Sequence, residues 1–195
     1  MAKPGAHKQI LGKGLIAAAS ASMLLKVRQA LDFGADPSYQ DAEQAGWCAL
    51  HFCCYFSEME RPAERICKML LEHGANPDSQ ARDGLTPLLA ASAVGSIEAV
   101  KLLLEANAAV NLQDGAGRTP LMAAAERGCC PVVKLLLAAG ARVDLLDRDG
   151  RDAMAIARAP SGSGGAREGG LAAAAMLEAA LLQAELYPAS RRMKS

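Results

Sequence analysis

Two stretches of the chain repeat one spacing of apolar and polar positions. Val100, Leu103 and Leu104 in one, and Val133, Leu136 and Leu137 in the other, fall at the i, i+3, i+4 intervals of a single helix face, which Leu102 and Leu135 widen. A shorter Ala-rich segment precedes each. It opens at Thr86-Pro87 or Thr119-Pro120, where a Thr oxygen can cap a helix and a Pro at the first helical position gives up only an amide that would have no partner. Gly95 and Gly128 close that first helix. The second helix stops at Gly74 and Gly140, and at Asn107 between them, Asn being the non-glycine residue that best tolerates a positive φ. The predicted unit is a short helix, a turn, a second helix and a left-handed stop.

The unit recurs at a fixed interval: Gly84, Gly117 and Gly150 stand 33 residues apart. Gly84-Leu85-Thr86-Pro87-Leu88 and Gly117-Arg118-Thr119-Pro120-Leu121 each lead into the Ala-rich helix, a glycine and then Val-Lys-Leu-Leu-Leu. This pattern resembles the ankyrin repeat, written G-x-T-P-L-H-x-A-A-x-x-G, then V-x-x-L-L, then G-A-D. The resemblance implies an all-α solenoid of helix-turn-helix pairs joined by hairpin-like finger loops, about four repeats with a C-terminal capping helix pair. Segments such as Asn76-Pro77-Asp78-Ser79-Gln80-Ala81-Arg82-Asp83 would form the fingers.

Two weaker repeats precede the regular ones. Gly46-Trp47-Cys48-Ala49-Leu50-His51 replaces the T-P-L-H segment, and an insertion of five residues near Ser57 to Pro62 separates its two helices. Leu15-Ile16-Ala17-Ala18-Ala19 and Val27 to Asp36 keep the same offsets, with Ser22 in place of the mid-repeat glycine. After the regular repeats, Asp152 to Ala157 is a degenerate first helix, followed by a Gly/Ser-rich segment and an Ala/Leu helix from Leu171. The expected organisation is an N-terminal segment 1–12, repeats over about 13–45, 46–83, 84–116 and 117–149, a C-cap 150–186 with a flexible insert 159–170, and a disordered basic tail 187–195.

Composition agrees with close-packed helices: 51% of residues are apolar but only 4% aromatic, so the core is built from Ala, Leu, Val and Met. Twenty-one cationic side chains balance 21 acidic ones, which leaves no global field for nucleic acid or an anionic membrane, although local patches are compatible with it. Lys13, Lys26 and Arg28 interrupt the most apolar N-terminal stretch, so no membrane span is expected and the protein reads as a soluble monomer. Residues 1–31 hold Lys3, Lys8, Lys13, Lys26 and Arg28 and no acid, as an organelle transit peptide does. The repeat offsets in the same residues favour a capping repeat. Six cysteines, two pairs of them adjacent and none in C-x-x-C, point to reduced thiols in the cytoplasm or nucleus.

Candidate chemistry is sparse. Cys48, Cys53, Cys54 and Cys67 with His51 and His73 suggest a metal or thiol site, hence a small enzyme or a regulatory subunit as the alternative reading. The ligand spacings of zinc motifs are missing, however, and Cys53-Cys54 replace the two packed alanines of the pattern, so no metal and no cofactor are expected. No nucleophile pairs with a base at a defensible offset, and no phosphate-cradling loop follows a strand. Asp83, Asp114, Asp147 and Asp149 read as solvated turn formers. The resemblance implies hydrogen bonds within and between repeats for His51, and it matches Asn111 to a finger asparagine that is hydroxylated in some animal ankyrin repeats.

The reading is a non-catalytic adaptor, inhibitor or assembly factor. The resemblance places partner contacts at the finger tips and on the concave face of the first helices. The position after each repeat glycine reads Trp47, Leu85, Arg118, Arg151, and the pair before each mid-repeat turn reads Tyr55-Phe56, Ala93-Val94, Glu126-Arg127. With Arg82 and Arg148 on the fingers, the face runs from aromatic to aliphatic to basic. A protein or peptide partner with an apolar anchor at Trp47, Tyr55 and Phe56 and an acidic segment at Arg118, Arg127 and Arg151 would match it. The competing reading is that Trp47 and Phe56 seal the joint with the divergent first repeat.

Overall fold

A computed structural model describes residues 4–56, 62–159 and 166–186. Its helices are α1 (Pro4–Ser20), α2 (Leu24–Asp32), α3 (Ala49–Tyr55), α4 (Pro62–Glu72), α5 (Pro87–Val94), α6 (Ile97–Glu105), α7 (Pro120–Arg127), α8 (Cys130–Ala138), α9 (Ala153–Arg158) and α10 (Ala166–Leu186), with one 3₁₀ turn at Ala42–Gln44. Among the described residues there is no strand, only an isolated bridge between Asp41 and Trp47. The fold is all-α.

Local chemistry places each helix end. Thr86 Oγ1 accepts from the Leu89 amide and Thr119 Oγ1 from the Met122 amide, both at 3.2 Å, so the predicted caps form. At the other end, Ala35, Ala75, Ala108 and Ala141 donate to the carbonyls of Ala30, Leu70, Leu103 and Leu136, each at 2.9 Å. This is one six-to-one closure repeated four times. Asn107 takes it at φ +61°, as a glycine would, and Ser22 stands at φ +53° where the regular repeats have glycine.

Stacking then follows from which stripe of each helix is apolar. α1, α3, α5, α7 and α9 pack in succession as an inner layer, and α2, α4, α6 and α8 as an outer one, with α10 against α7, α8 and α9. Leu88, Leu121, Leu103, Leu136, Val100 and Val133 join one continuous core that runs from Leu15 to Leu177. Ala90, Ala91, Ala123 and Ala124 are fully covered in the inner layer, where a larger side chain would hold the helices apart.

Helices run across two of the expected boundaries. The N-terminal segment is helical from Pro4, continuous with the first repeat. In the expected flexible insert 159–170, α10 already begins at Ala166. Gly169 and Gly170 are contact residues: a Cβ at Gly170 would lie 2.6 Å from the Ala157 carbonyl oxygen, and one at Gly169 would lie 2.7 Å from that of Gly128. Their missing side chains let α10 lie directly on the backbone of its neighbours. Residues 57–61 and 160–165, which carry most of the two expected insertions, and the expected tail 187–195 lie outside the described residues.

Candidate partner-binding face

The first finger delivers Trp47 to the inner layer. Asp41 donates its amide to the Trp47 carbonyl at 3.3 Å, Trp47 donates to Gln44 at 3.0 Å, and α3 starts two residues later. Helical spacing then collects rings around the indole. Phe52 lies edge-on at 5.0 Å, Tyr55 edge-on at 5.6 Å and His51 tilted at 5.9 Å, while Phe56 meets Tyr55 at 5.3 Å and Phe52 at 6.4 Å. Trp47 and Phe52 are half-buried, while Tyr55 and Phe56 are 45% and 38% exposed. Trp47 and Phe52 are thus the more covered rings of the cluster, and Tyr55 and Phe56 the more exposed. Phe52 is outside the set of contact residues that the sequence suggests, although its i, i+4 spacing to Phe56 is a usable signal.

Further along the face, Leu85 and Val94 are half-buried, and Leu85 packs against the core. The arginines differ from a simple basic end. Arg118 pairs with Glu126 at the end of α7, and Arg151 binds Asp147 through Nε at 3.0 Å and a terminal nitrogen at 2.8 Å, with Asp149 also at 2.8 Å. An acidic partner at these two would have to displace carboxylates of the fold itself. Arg82, Arg127 and Arg148 are exposed, and neither Arg82 nor Arg148 makes an ion pair among the described residues.

Three fingers repeat one closure, in which Ala81, Asp114 and Asp147 donate their amides to the carbonyls of Leu85, Arg118 and Arg151 four residues on, while the first closes over six, from Asp41 to Trp47; single backbone bonds cross between fingers, from Arg82 to Ala45 at 2.9 Å and from Arg148 to Ala116 at 2.9 Å. Asp147 corrects the solvated-turn expectation, because its side chain is buried and accepts from the amides of Asp149 at 3.0 Å and Arg151 at 2.8 Å. Those amides and the Arg151 guanidinium hold its carboxyl below the ordinary aspartate range. The direction makes its contribution to stability present above about pH 3.8 and lost as the pH falls through the lowered folded-state value. Replacing Asp147 with Asn should speed amide hydrogen exchange at Asp149 and Arg151 while α7 stays protected; unchanged exchange would remove Asp147 as the lock of this finger. Asn111 is also engaged, donating to the Gly140 carbonyl at 3.3 Å and accepting from the Arg142 amide at 2.8 Å.

The thiol and histidine group separates into parts. His51 is fully buried, its Nδ1 accepting from the Cys48 amide at 3.2 Å and its Nε2 donating to the Leu85 carbonyl of the next finger at 2.9 Å. Burial lowers its pKa, so it stays neutral. His73 sits exposed at the end of α4, its Nδ1 2.8 Å from the Met69 carbonyl. Cys48, Cys53, Cys54 and Cys67 are buried, Cys54 shares a hydrogen bond with Cys67, and burial raises the thiol pKa at Cys48 and Cys53. Such thiols are poor nucleophiles. Among the described residues no three His, Cys, Asp or Glu side chains are placed to hold a metal ion, and no helix is long and apolar enough to cross a membrane. A concavity of about 1170 Å³ between α8 and α10 is lined by Lys134, Leu137, Arg142, Met176 and small residues, with no acid, histidine or thiol in its wall.

Comparison with known proteins agrees with this geometry. The family model described as ankyrin repeats (3 copies) matches residues 15–114 and 59–148. The human 2-5A-dependent ribonuclease is 35% identical over 72 residues, a stretch that is 37% of this chain and 9% of that protein.

Proposed function

The chain belongs to the ankyrin-repeat family, and on that premise we propose that it is a non-catalytic binding module, an adaptor, inhibitor or assembly factor that holds a partner protein on its fingers and inner helices. Ankyrin repeats generally mediate protein–protein interaction. The observation that carries the proposal is the pair of exposed rings, Tyr55 and Phe56, held by Trp47 and Phe52 on the inner layer beside the fingers. Rigid aromatics with little conformational freedom left to lose are the usual anchors of protein interfaces. The non-catalytic reading is supported by His51, whose nitrogens are both engaged, and by the burial of the four thiols around it. None of the six cysteines forms a disulfide, which favours a reducing compartment, cytoplasm or nucleus.

The electrostatics refine the partner. An acidic segment finds Arg82 and Arg148, which make no ion pair among the described residues, more accessible than Arg118 or Arg151, which are paired with carboxylates. The test uses a partner captured from the native host and titrated with purified variants. Tyr55→Ala and Phe56→Ala should each weaken binding about tenfold or more, and Trp47→Ala by at least as much because it unseats both rings. Arg118→Ala should have a smaller, salt-dependent effect. Unchanged affinity across these variants, with folding intact by circular dichroism, would remove the binding face.

A further inference from the structure

The first helix pair carries a surface that stacking does not require. On α2, Val27 and Leu31 are buried and Leu24 half-buried, which turns that stripe inward. At 100° per residue, Leu25, Gln29 and Phe33 run down the middle of the opposite side. Leu25 and Phe33 are each 76% exposed, more than any other large apolar side chain among the described residues. Lys26 lies on one flank of this stripe and Arg28 on the other, both exposed and neither in an ion pair among the described residues. Met23 in the turn before α2, 44% exposed, adds apolar area at the start of the helix. Asp32, one turn beyond Arg28 and exposed, lies between Arg28 and the apolar stripe on that flank and is the acid of this helix.

The left-handed stops at Gly34, Gly74, Asn107 and Gly140 align the four outer helices. Nine residues before each stop the chain reads Leu25, Arg65, Glu98 and Pro131, and one residue before it reads Phe33, His73, Ala106 and Ala139. The other repeats put polar or small residues where this one exposes Leu and Phe, so the fold does not need them there. Eight residues before each stop stand Lys26, Ile66, Ala99 and Val132, and the last three are fully buried. A further repeat or a second copy stacked end-on would bury the Lys26 ammonium without a counter-charge. What can cover the face must take up apolar side chains while leaving cations on both flanks at a polar, negatively charged boundary.

We infer that the α1–α2 pair docks on an anionic lipid surface, with Leu25 and Phe33 entering the headgroup and acyl boundary and Lys26 and Arg28 reaching acidic headgroups on either side. A central apolar stripe with basic flanks is the arrangement of interfacial helices, in which long cationic side chains keep their charge at the headgroup level. The docking is peripheral, and it occupies the end of the repeat stack away from α10.

Co-sedimentation of the full chain with phosphatidylcholine vesicles, and with vesicles containing about 30% phosphatidylserine, tests this. Binding is expected on the acidic vesicles, weaker on the neutral ones, and reduced by salt. Leu25→Ser with Phe33→Ser should weaken it about tenfold or more, and Lys26→Glu with Arg28→Glu should abolish the preference for phosphatidylserine. All four side chains are exposed, so the thermal midpoint should hold, and Tyr55→Ala should bind vesicles as the parent does, which separates this surface from the partner face. No binding to acidic vesicles, equal binding by the variants, or lipid-free dimerisation that disappears with Leu25→Ser would each overturn the proposal.

Discussion

Gly128→Ala should lower stability by about 2–5 kcal/mol, well beyond what the same change does at Gly140. Both glycines hold a positive φ, +71° and +89°, so each substitution forces an L-residue into the left-handed region at about 1–2 kcal/mol. They differ in what surrounds them. Nothing lies within 4 Å of a Cβ at Gly140, whereas one at Gly128 would fall 2.7 Å from the Gly169 carbonyl carbon and 2.8 Å from the Gly170 nitrogen. Backbone on both sides leaves no flexible side chain to yield, which adds overpacking of about 1–3 kcal/mol. Urea midpoints of the two variants give the difference, and hydrogen exchange locates it: Gly128→Ala should deprotect α10 before the central repeats. Equal destabilisation by the two changes would mean that α10 does not rest on the end of α7.

The second large effect is expected at His51. Leu in its place keeps much of the volume but leaves the buried Cys48 amide without its partner, at about 1–3 kcal/mol, and removes one of the two bonds at the Leu85 carbonyl, which keeps the Ala81 amide. His51→Leu should therefore unfold at a clearly lower urea concentration, with the first full finger and the next one separating first. The pH dependence has a definite sign. With the folded-state pKa lowered below 6.5, the unfolded chain binds the proton more readily, so stability is fully present above about pH 6.5 and declines as pH falls from there toward the lowered value. The variant should lack that decline. A parent protein with the same stability slope as His51→Leu over this window would argue that the imidazole is not held neutral.

The same residue shows how far sequence reading reaches. The resemblance implies bonds within and between repeats at His51, and the structure supplies their partners, the Cys48 amide and the Leu85 carbonyl. The thiols around it were a candidate reactive group in sequence. In the structure they are buried, and His73 sits exposed at the end of α4. Residue identity marks chemical capability, but reactivity depends on exposure and on partners that lie tens of residues away.

What the sequence determined by itself were the features set within a few residues: the caps at Thr86 and Thr119, the left-handed stops at Asn107 and Ser22, the interval of the repeat, and through them the stack of helix pairs. These rest on backbone sterics and on hydrogen bonds that span one turn, so local order suffices. Only the tertiary structure decided that Gly169 and Gly170 are contact points, that Asp147 is buried under Arg151, that Glu126 neutralises Arg118, and that Leu25 and Phe33 face outward between two cations. Each of these depends on which surfaces meet or fail to meet across the stack, and such encounters are set by packing between elements that no short window of sequence contains.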